Sequence, residues 1–556
     1  MPNGAQAMLA TLVKAGVEVC FTNPGTSEMH FVAALDDEPG MRAVLTLFEG
    51  VATGAADGYA RMAGKPAATL LHLGCGLGNG LANLHNARKA RTPVVNIVGD
   101  HATYHVAYDA QLQSDIVTVA RNVSTWVRSA TTTAGLGQDV VEAVSTAMGP
   151  PGQVATLIVP ADVSWSDGGQ VLPPLPPRPP TPVPAAQIDA LAEVCRGKAR
   201  TVMLLGGRAL RGEALTLAAR IAAQHNITLL AEVFPARIER GAGLPHVERL
   251  AYFAEMASVQ LHGVRHLILV DAKAPVSFFA YPGKKSYLVP DSCLVHELAV
   301  ADQDVVAALI ALAQRLGAEA TPPCLQEAVR PELPTGPLSA EKVCKAVGHL
   351  LPPEAIIVDE AQTAGVTLPM HTAGAAAHDV LTLTGGAIGQ GLPVAVGAAI
   401  ACPERPVLAL IGDGSAMYTV QSLWTLAREH LSVTVVILNN RSYAILNVEL
   451  QRVGARAGDG ANGGAKARAQ LDLQHPAIDF VQLGQSMGID SVRCSTAEDF
   501  NQALQRCLSQ HGPHLIEALI PNDLSGMKLR LLPHLLRSLK HLPQPVARLV
   551  KSKVAP

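Results

Sequence analysis

The clearest hydrophobic pattern in the chain is a pair of short apolar runs, one on each side of a helical stretch. The runs occupy residues 407–411 and 433–438, and each has the length of a buried strand. Between them, apolar side chains recur at the spacing of one helix face: Val420, Leu423, Trp424 and Ala427. Strands of this kind flanking a helix predict a right-handed β-α-β unit with parallel strands.

Polar side chains follow both runs. Asp413 stands between Gly412 and Gly414 after the first run, and Asn440 closes the second. Parallel strands bring these ends to the sheet edge where open α/β folds bind ligands. A carboxylate, an amide oxygen and a nearby carbonyl suit Mg²⁺, and the glycines allow a phosphate to approach the next helix. A plain glycine turn is the simpler interpretation, but the doubled Asn favours a metal site.

The same alternation of apolar runs and amphipathic helices recurs along the chain, and it predicts an α/β protein with three doubly wound parallel-sheet domains. Proline-rich segments separate them, with eight prolines in residues 173–184 alone, which is typical of extended connectors. The predicted boundaries are domains at 1–170, 186–320 and 338–525, linkers at 171–185 and 321–337, and a basic tail at 526–556.

Composition narrows the class of protein. A formal net charge of -3 with 16% charged residues gives no nucleic-acid-binding footprint. Nine cysteines without a regular spacing indicate free thiols in a reducing compartment. The start of the chain does not resemble a signal peptide, and no transmembrane segment is expected, so we predict a cytoplasmic protein. The basic tail is either a membrane-surface helix or a segment docked on its own oligomer.

Three further polar positions follow predicted strands in the first domain. Thr26 comes after the strand at 17–22, Glu49 after the strand at 44–48, and His72 after the strand at 67–71, where glycines follow and predict a tight turn. Simpler interpretations exist for each. An acid at a helix start is worth about 0.3–1 kcal/mol through the helix dipole, and a lone histidine is more often structural than catalytic.

Two motifs resemble those of thiamine-diphosphate (ThDP) enzymes. Gly412-Asp413-Gly414, followed 24 residues later by Asn439-Asn440, is similar to the signature of that family. Residues 23–25, 48–50 and 55–61 resemble its pyrimidine-binding domain. The chain thereby resembles acetolactate synthases and benzoylformate decarboxylases, with pyrimidine-binding, central and diphosphate-binding domains in that order.

The resemblance implies a ligand set. The Mg²⁺ ligands would be Asp413, Asn440 and the Ser442 carbonyl. Ile388 would bend the cofactor, and the Gly386 carbonyl would accept a hydrogen bond from its amine. The remaining cofactor-binding positions implied by the resemblance are Asn23, Pro24, Gly25, Gln362, Thr363, Gly412, Gly414, Ser415 and Tyr443.

It also implies catalytic roles. Glu49 would hydrogen-bond the aminopyrimidine ring and so promote formation of the carbon nucleophile. His72 would be the substrate-side acid/base, with the Thr26 hydroxyl beside a substrate carboxylate. Tyr108 and Asp109 stand where pyruvate decarboxylases carry paired histidines, which weakens that substrate interpretation.

FAD is disfavoured as a cofactor. Trp126 stands where flavin-containing acetolactate synthases carry a lysine, and residues 241–257 do not resemble their flavin loop. The glycine fingerprint of a dinucleotide site is also missing from the central domain. Phe278, Phe279 and Tyr281 are candidates for an apolar substrate wall, although core packing explains them equally well.

The function that the resemblance implies is a ThDP- and Mg²⁺-dependent 2-oxo acid decarboxylase or carboligase, whose enamine intermediate is released as an aldehyde or ligated to a second carbonyl. A ThDP lyase of 2-hydroxyacyl compounds and a non-catalytic paralogous subunit are the alternatives. The family assembles each site from two subunits, which implies at least a homodimer and favours a homotetramer. The glycine-rich stretch at 454–464 is a candidate lid.

Overall fold

A computed structural model describes residues 1–281, 283–452 and 464–522. The predicted lid at 454–464, apart from residue 464, and the basic tail at 526–556 lie outside these ranges. No helix in the described ranges is both long enough and apolar enough to cross a membrane.

The N-terminal sheet is entirely parallel, with the strand order β2-β1-β3-β4-β6-β5. Its strands are β1 (Val19–Asn23), β2 (Arg42–Leu45), β3 (Ala67–Leu71), β4 (Val94–Asp100), β5 (Trp126–Ser129) and β6 (Val154–Pro160).

The central sheet is also parallel, but its strands are not all consecutive in the chain. Strand β9 (Ile238–Arg240), which comes just before the edge strand of this sheet in the sequence, joins another sheet. The order is β10-β8-β7-β11-β12, with β7 (Thr201–Leu205), β8 (Thr228–Ala231), β10 (Glu248–Arg249), β11 (His266–Val270) and β12 (Leu294–Ala299).

The C-terminal sheet has seven strands in the order β17-β18-β16-β15-β13-β14-β9. Six of them are parallel to one another: β13 (Ile356–Glu360), β14 (His378–Thr382), β15 (Val407–Gly412), β16 (Val433–Asn439), β17 (Asp490–Cys494) and β18 (His514–Leu519). The seventh, β9, is antiparallel to β14 and comes from the segment predicted as the central domain.

Helices connect the strands. In chain order they are α1 (Gly4–Lys14), α2 (Met29–Ala34), α3 (Glu49–Ala63), α4 (Leu73–Ala90), α5 (Ile116–Arg121), α6 (Leu136–Met148), α7 (Ala161–Trp165), α8 (Ala185–Arg196), α9 (Gly212–His225), α10 (Ala254–Gln260), α11 (Val305–Leu316), α12 (Ala340–Leu350), α13 (Leu368–His371), α14 (Gly391–Ala401), α15 (Asp413–Ala416), α16 (Ser422–Arg428), α17 (Ala444–Arg452), α18 (Ala465–Ala469), α19 (Phe480–Ser486) and α20 (Ala497–Ser509).

Each sheet is buried on both faces, which confirms the predicted three-sheet α/β class. Along β7, Val202 and Leu204 belong to one hydrophobic cluster while Met203 and Leu205 belong to another. Successive side chains point to opposite faces of a strand, so both faces must be covered. The apolar runs of the sequence are continuous for this reason.

Close packing of α3 against α14 joins the N-terminal and C-terminal sheets. A side chain at Gly397 would collide with the backbone of Ala55 and Tyr59, and one at Gly58 would collide with the backbone of Val394. The two glycines therefore allow the helices to approach at backbone distance. This contact fixes how the two halves of the chain sit against each other.

The predicted helix between residues 411 and 433 is only partly correct. The structure has two short helices there, α15 and α16, separated by a turn at 417–421. The apolar spacing indicated α16 correctly, since Leu423 is buried there. The break brings α15 to the end of β15, where its first residue is Asp413.

Candidate active site

The loops after β15 and β16 meet through the Asp413 carboxylate. Its Oδ1 accepts a hydrogen bond from the Gly414 N–H at 2.8 Å, and its Oδ2 accepts one from the Arg441 N–H at 2.6 Å. On the second loop, the Asn440 Oδ1 accepts from the Ser442 N–H at 3.0 Å. This arrangement agrees with the sequence prediction that the polar ends of the two strands come together.

The donor set fits a hard divalent cation. Asp413 is 5% exposed, and burial raises the pKa of its carboxyl above the usual value, so the backbone hydrogen bonds that it accepts offset only part of the cost of burying its charge. An adjacent Mg²⁺ would offset the rest, with the Asn440 amide oxygen and the Ser442 carbonyl as further oxygen donors. A side chain at position 414 would collide with the Tyr443 ring, so this position requires glycine.

A cavity of about 530 Å³ lies beside these loops. It has the size of a small-molecule site. The predicted cofactor residues that line it are Gln362, Thr363, Gly386, Ile388 and Tyr443. Glu49, His72 and Thr26 are not among the described residues that line this cavity.

Glu360, which the sequence analysis did not single out, lines one side of this cavity. Its two carboxylate oxygens accept hydrogen bonds from the Gly389 N–H at 2.6 Å and the Gly391 N–H at 2.5 Å. These bonds clamp the loop that carries Ile388. Burial raises the pKa of Glu360 to about 7. An acidic residue closing strand β13 was the available signal.

Charged side chains also reach the cavity from the segment after β8. Arg249 lies 3.7 Å from Asp359, and Arg240 donates to the Pro369 carbonyl oxygen. Burial raises the pKa of Asp359 and lowers the pKa of Arg240 to about 10.

Glu49 is the first residue of α3 and is 7% exposed. Its Oε2 accepts a hydrogen bond from the Asn79 side-chain amide of α4 at 3.0 Å. A side chain at Gly76 would lie 2.9 Å from the Glu49 Oε1, so α4 approaches this carboxylate closely. A second helix, α4, therefore contacts this carboxylate. An acid that only stabilised the start of α3 would not need such a contact.

His72 lies at the end of β3 and pairs with Glu28, a residue that the sequence analysis missed. The His72 Nδ1 is 2.8 Å from the Glu28 Oε2, and the same oxygen accepts from the Gly25 N–H at 2.8 Å. Glu28 is 3% exposed, and its other oxygen accepts from the Ser27 hydroxyl at 2.9 Å. No signal in the sequence links residues 44 positions apart.

The residues around this pair are placed by close contacts. Gly25 touches the His72 ring, where any side chain would collide. Thr26 begins the short 3₁₀ turn Thr26–Glu28 and is exposed. The predicted tight strand-to-helix turn is present, since β3 ends at Leu71 and α4 begins at Leu73. The glycines do not form it, because they lie within α4, and the residue with a left-handed backbone is Leu73, with φ of +50°.

The loop after β4, which ends in the Tyr108 and Asp109 of the sequence analysis, contains a small cluster of rings. His101 and His105 have ring centroids 5.2 Å apart, and Tyr108 packs on His105 at 5.9 Å.

At the carboxyl edge of the central sheet, Arg91, which follows the last residue of α4, pairs with Asp271. That ion pair stands at the crevice where a dinucleotide would lie. The expectation on FAD stays a prediction.

Comparison with known families matches both ends of the chain. Residues 2–120 match the family model of the thiamine pyrophosphate enzyme N-terminal TPP binding domain. Residues 366–518 match that of the C-terminal TPP binding domain. These ranges contain Glu49 and His72 in the first case and the Asp413 and Asn440 loops in the second.

Two relatives align over nearly the whole chain. A Mycobacterium tuberculosis protein, provisionally named as the acetolactate synthase large subunit IlvX, is 56% identical over 522 residues, covering 94% of this chain and 99% of its own length. The benzoylformate decarboxylase of Pseudomonas aeruginosa is 28% identical, covering 91% of this chain and 96% of its own.

Solved structures share the fold. A Rhodococcus jostii thiamine diphosphate-dependent 4-hydroxybenzoylformate decarboxylase superposes with a TM-score of 0.81 at 24% identity, covering 94% of this chain and 100% of that one. The benzoylformate decarboxylase of Polynucleobacter necessarius gives 0.81 at 22% identity, covering 94% and 99%.

Proposed function

Because the chain belongs to the thiamine pyrophosphate enzyme family, we propose that it is a ThDP- and Mg²⁺-dependent 2-oxo acid decarboxylase or carboligase. The observation that carries the proposal is the junction of the two loops, where the Asp413 carboxylate bonds both Gly414 and Arg441. Such a junction presents oxygen donors from two strands to one ion. The cavity beside it gives an organic ligand room.

On the diphosphate side, Asp413, Asn440 and the Ser442 carbonyl would hold the metal. Gly412 and Ser415, with Gln362 and Thr363 across the cavity, would contact the phosphates. Ile388 would set the conformation of the cofactor, since Glu360 clamps its loop. Bound ThDP supplies a carbon nucleophile and accepts the electron pair released with CO₂.

On the pyrimidine side, Glu49 would hold a proton against the ring, with Asn23, Pro24 and Gly25 beside the cofactor. His72 would move protons at its Nε2. Because Glu28 accepts at Nδ1, it favours the tautomer in which Nε2 is free to accept a proton. Thr26 is exposed beside this pair and would donate its hydroxyl to a substrate carboxylate.

The pyrimidine-side and diphosphate-side groups would come together between subunits. We propose a homodimer as the smallest active unit, because the described cavity lacks Glu49 and His72. The family resemblance favours a homotetramer. All nine cysteines are free, which supports our placing the protein in the cytoplasm.

The assay that tests the proposal supplies ThDP, Mg²⁺ and a panel of 2-oxo acids, and follows CO₂ and aldehyde separately. CO₂ with aldehyde identifies a decarboxylase, and CO₂ with a 2-hydroxyketone identifies a carboligase. Cleavage of a 2-hydroxyacyl compound without CO₂ would support the alternative lyase. Turnover of no substrate, with ThDP bound or not, would support a non-catalytic subunit and contradict the proposal.

A further inference from the structure

One side of the cavity is an aromatic wall, which we define as Phe234, Tyr252, Phe253, Phe278 and Phe279. Neighbouring rings in it have centroids between 4.9 and 6.0 Å apart. The whole chain contains only nine phenylalanines. Four of them therefore stand in this one wall, a concentration that the composition alone does not indicate.

The wall is not part of the hydrophobic core. Phe278 is 43% exposed and Phe279 is 55% exposed, whereas rings that only pack a core are buried. Phe234, Tyr252 and Phe253 are half-buried as well. Contiguous aromatic surface left open in a concave site is characteristic of a ligand-binding face. The exposure of Phe278 and Phe279 argues against core packing, which was the other explanation for these two residues.

The aromatic wall reaches Gly386, which also lines the cavity. A side chain at Gly386, whose φ is +77°, would lie 2.5 Å from the Phe278 Cζ. The family resemblance implies that the Gly386 carbonyl would accept a hydrogen bond from the amine of the cofactor. Tyr281, three residues after Phe278, donates to the Glu449 carboxylate of α17 at 2.7 Å and so ties this segment to the C-terminal half of the chain.

Several charged groups of the cavity are already paired within the protein. Arg249 pairs with Asp359, and the Arg240 guanidinium donates to a backbone carbonyl. A substrate side group that extends away from Gly386 would therefore meet apolar side chains, and the rings of the aromatic wall are the bulkiest of these. Aromatic rings bind each other through offset and edge-to-face contacts, in addition to the area that they bury.

We propose that the aromatic wall selects 2-oxo acids whose side group is an aromatic ring. The inference rests on the 2-oxo acid activity proposed above and adds its substrate class. A methyl side group, as in pyruvate, leaves the wall unfilled and gains little from it.

The experiment compares kcat/KM for benzoylformate and phenylpyruvate with kcat/KM for pyruvate, using enzyme loaded with ThDP and Mg²⁺. We expect at least one aromatic donor to exceed pyruvate by about tenfold or more. Phe278→Ala should lower that ratio by about fivefold or more, and Phe278→Leu should lower it less. Because each ratio is measured within one variant, a loss of total active enzyme does not affect it.

Tyr287→Ala is the matched control, since Tyr287 is a 51% exposed aromatic of the same segment and does not line the cavity. Its ratio should stay within about twofold of the wild-type value. Pyruvate turnover equal to or above that of both aromatic donors would overturn the substrate class while leaving the decarboxylase function intact. No turnover of any 2-oxo acid would overturn both.

Discussion

At the residue scale, the site is built from side chains that the sequence indicates and others that it does not. Asp413 and Asn440 could be predicted because each directly follows an apolar strand, and parallel strands bring such ends together. Glu28 could not, and Glu360 was marked only by its place at the end of strand β13. Their roles depend on contacts with His72 and with the Gly389–Gly391 backbone, and side-chain contacts between separate elements leave no spacing to detect.

Glu28 is expected to act by positioning His72. Glu28→Gln should lower kcat by about 10- to 100-fold while ThDP affinity stays near the wild-type value, since the residue lies on the pyrimidine side. The pH profile of kcat should shift, because the substitution removes the negative charge beside the His72 ring. Glu18→Gln, at an exposed ion pair with Lys65, is the control. An unchanged pH profile with lowered kcat would indicate a merely structural role.

Glu360 gives the apoenzyme a definite pH dependence. Burial raises the folded-state pKa to about 7, above the unfolded value, so the folded protein holds this proton more tightly. The free energy of unfolding should therefore fall as pH rises from about 4.5 to about 7, by an amount on the order of 1–3 kcal/mol. Chemical denaturation across this pH range measures it.

The matching variant is Glu360→Gln, which cannot titrate. Its unfolding free energy should show a flatter pH dependence than that of the wild type over the same window. A variant with the same slope as the wild type would contradict the assignment of the slope to Glu360.

At the element scale, strands with continuous apolar runs were the most predictable feature. The strand at 67–71 was predicted at the residues where it occurs, and the runs at 407–411 and 433–438 each end one residue before the observed strand does. The strand predicted at 44–48 is shifted, since the structure has Arg42–Leu45. Strand β9 could not be predicted, because three residues in a polar segment show no period and become a strand only by pairing with β14.

The α3–α14 contact should be sensitive to any added side chain. Gly397→Ala would place a methyl group against the backbone of Ala55, which cannot move aside as a flexible side chain can. We expect a loss of about 1–3 kcal/mol in stability, measured by denaturant unfolding. Ala401→Ser, at the half-buried end of the same helix, should change stability by much less. Equal effects of the two would contradict close backbone packing.

At the scale of the whole molecule, the proposed site requires two copies of the chain. The sequence could predict this only through the family resemblance, because a composition or a period does not indicate which surfaces associate. The structure of one chain adds that the cavity lined by Gln362 and Tyr443 does not include Glu49.

Subunit complementation tests this arrangement. Glu49→Gln and Asp413→Asn should each fold as the wild type does and each lose most turnover. Co-expressed in equal amounts, they should recover about a quarter of wild-type activity, because about half of the dimers are mixed and one of the two sites in each is intact. Differently tagged chains allow the mixed dimer to be purified. No recovery in that mixed dimer would contradict a site shared between subunits.

Strand β9 also limits how this protein can be recombined with its relatives. A chimera that exchanges residues 186–320 at the proline-rich connectors removes the edge strand of the neighbouring sheet along with the domain that it targets. The backbone of β14 would then depend on a foreign strand for its pairing, or be left open to association with other chains. Crossover points that keep Ile238–Arg240 and β14 from the same parent would preserve this strand pairing, whereas points in the linkers would not.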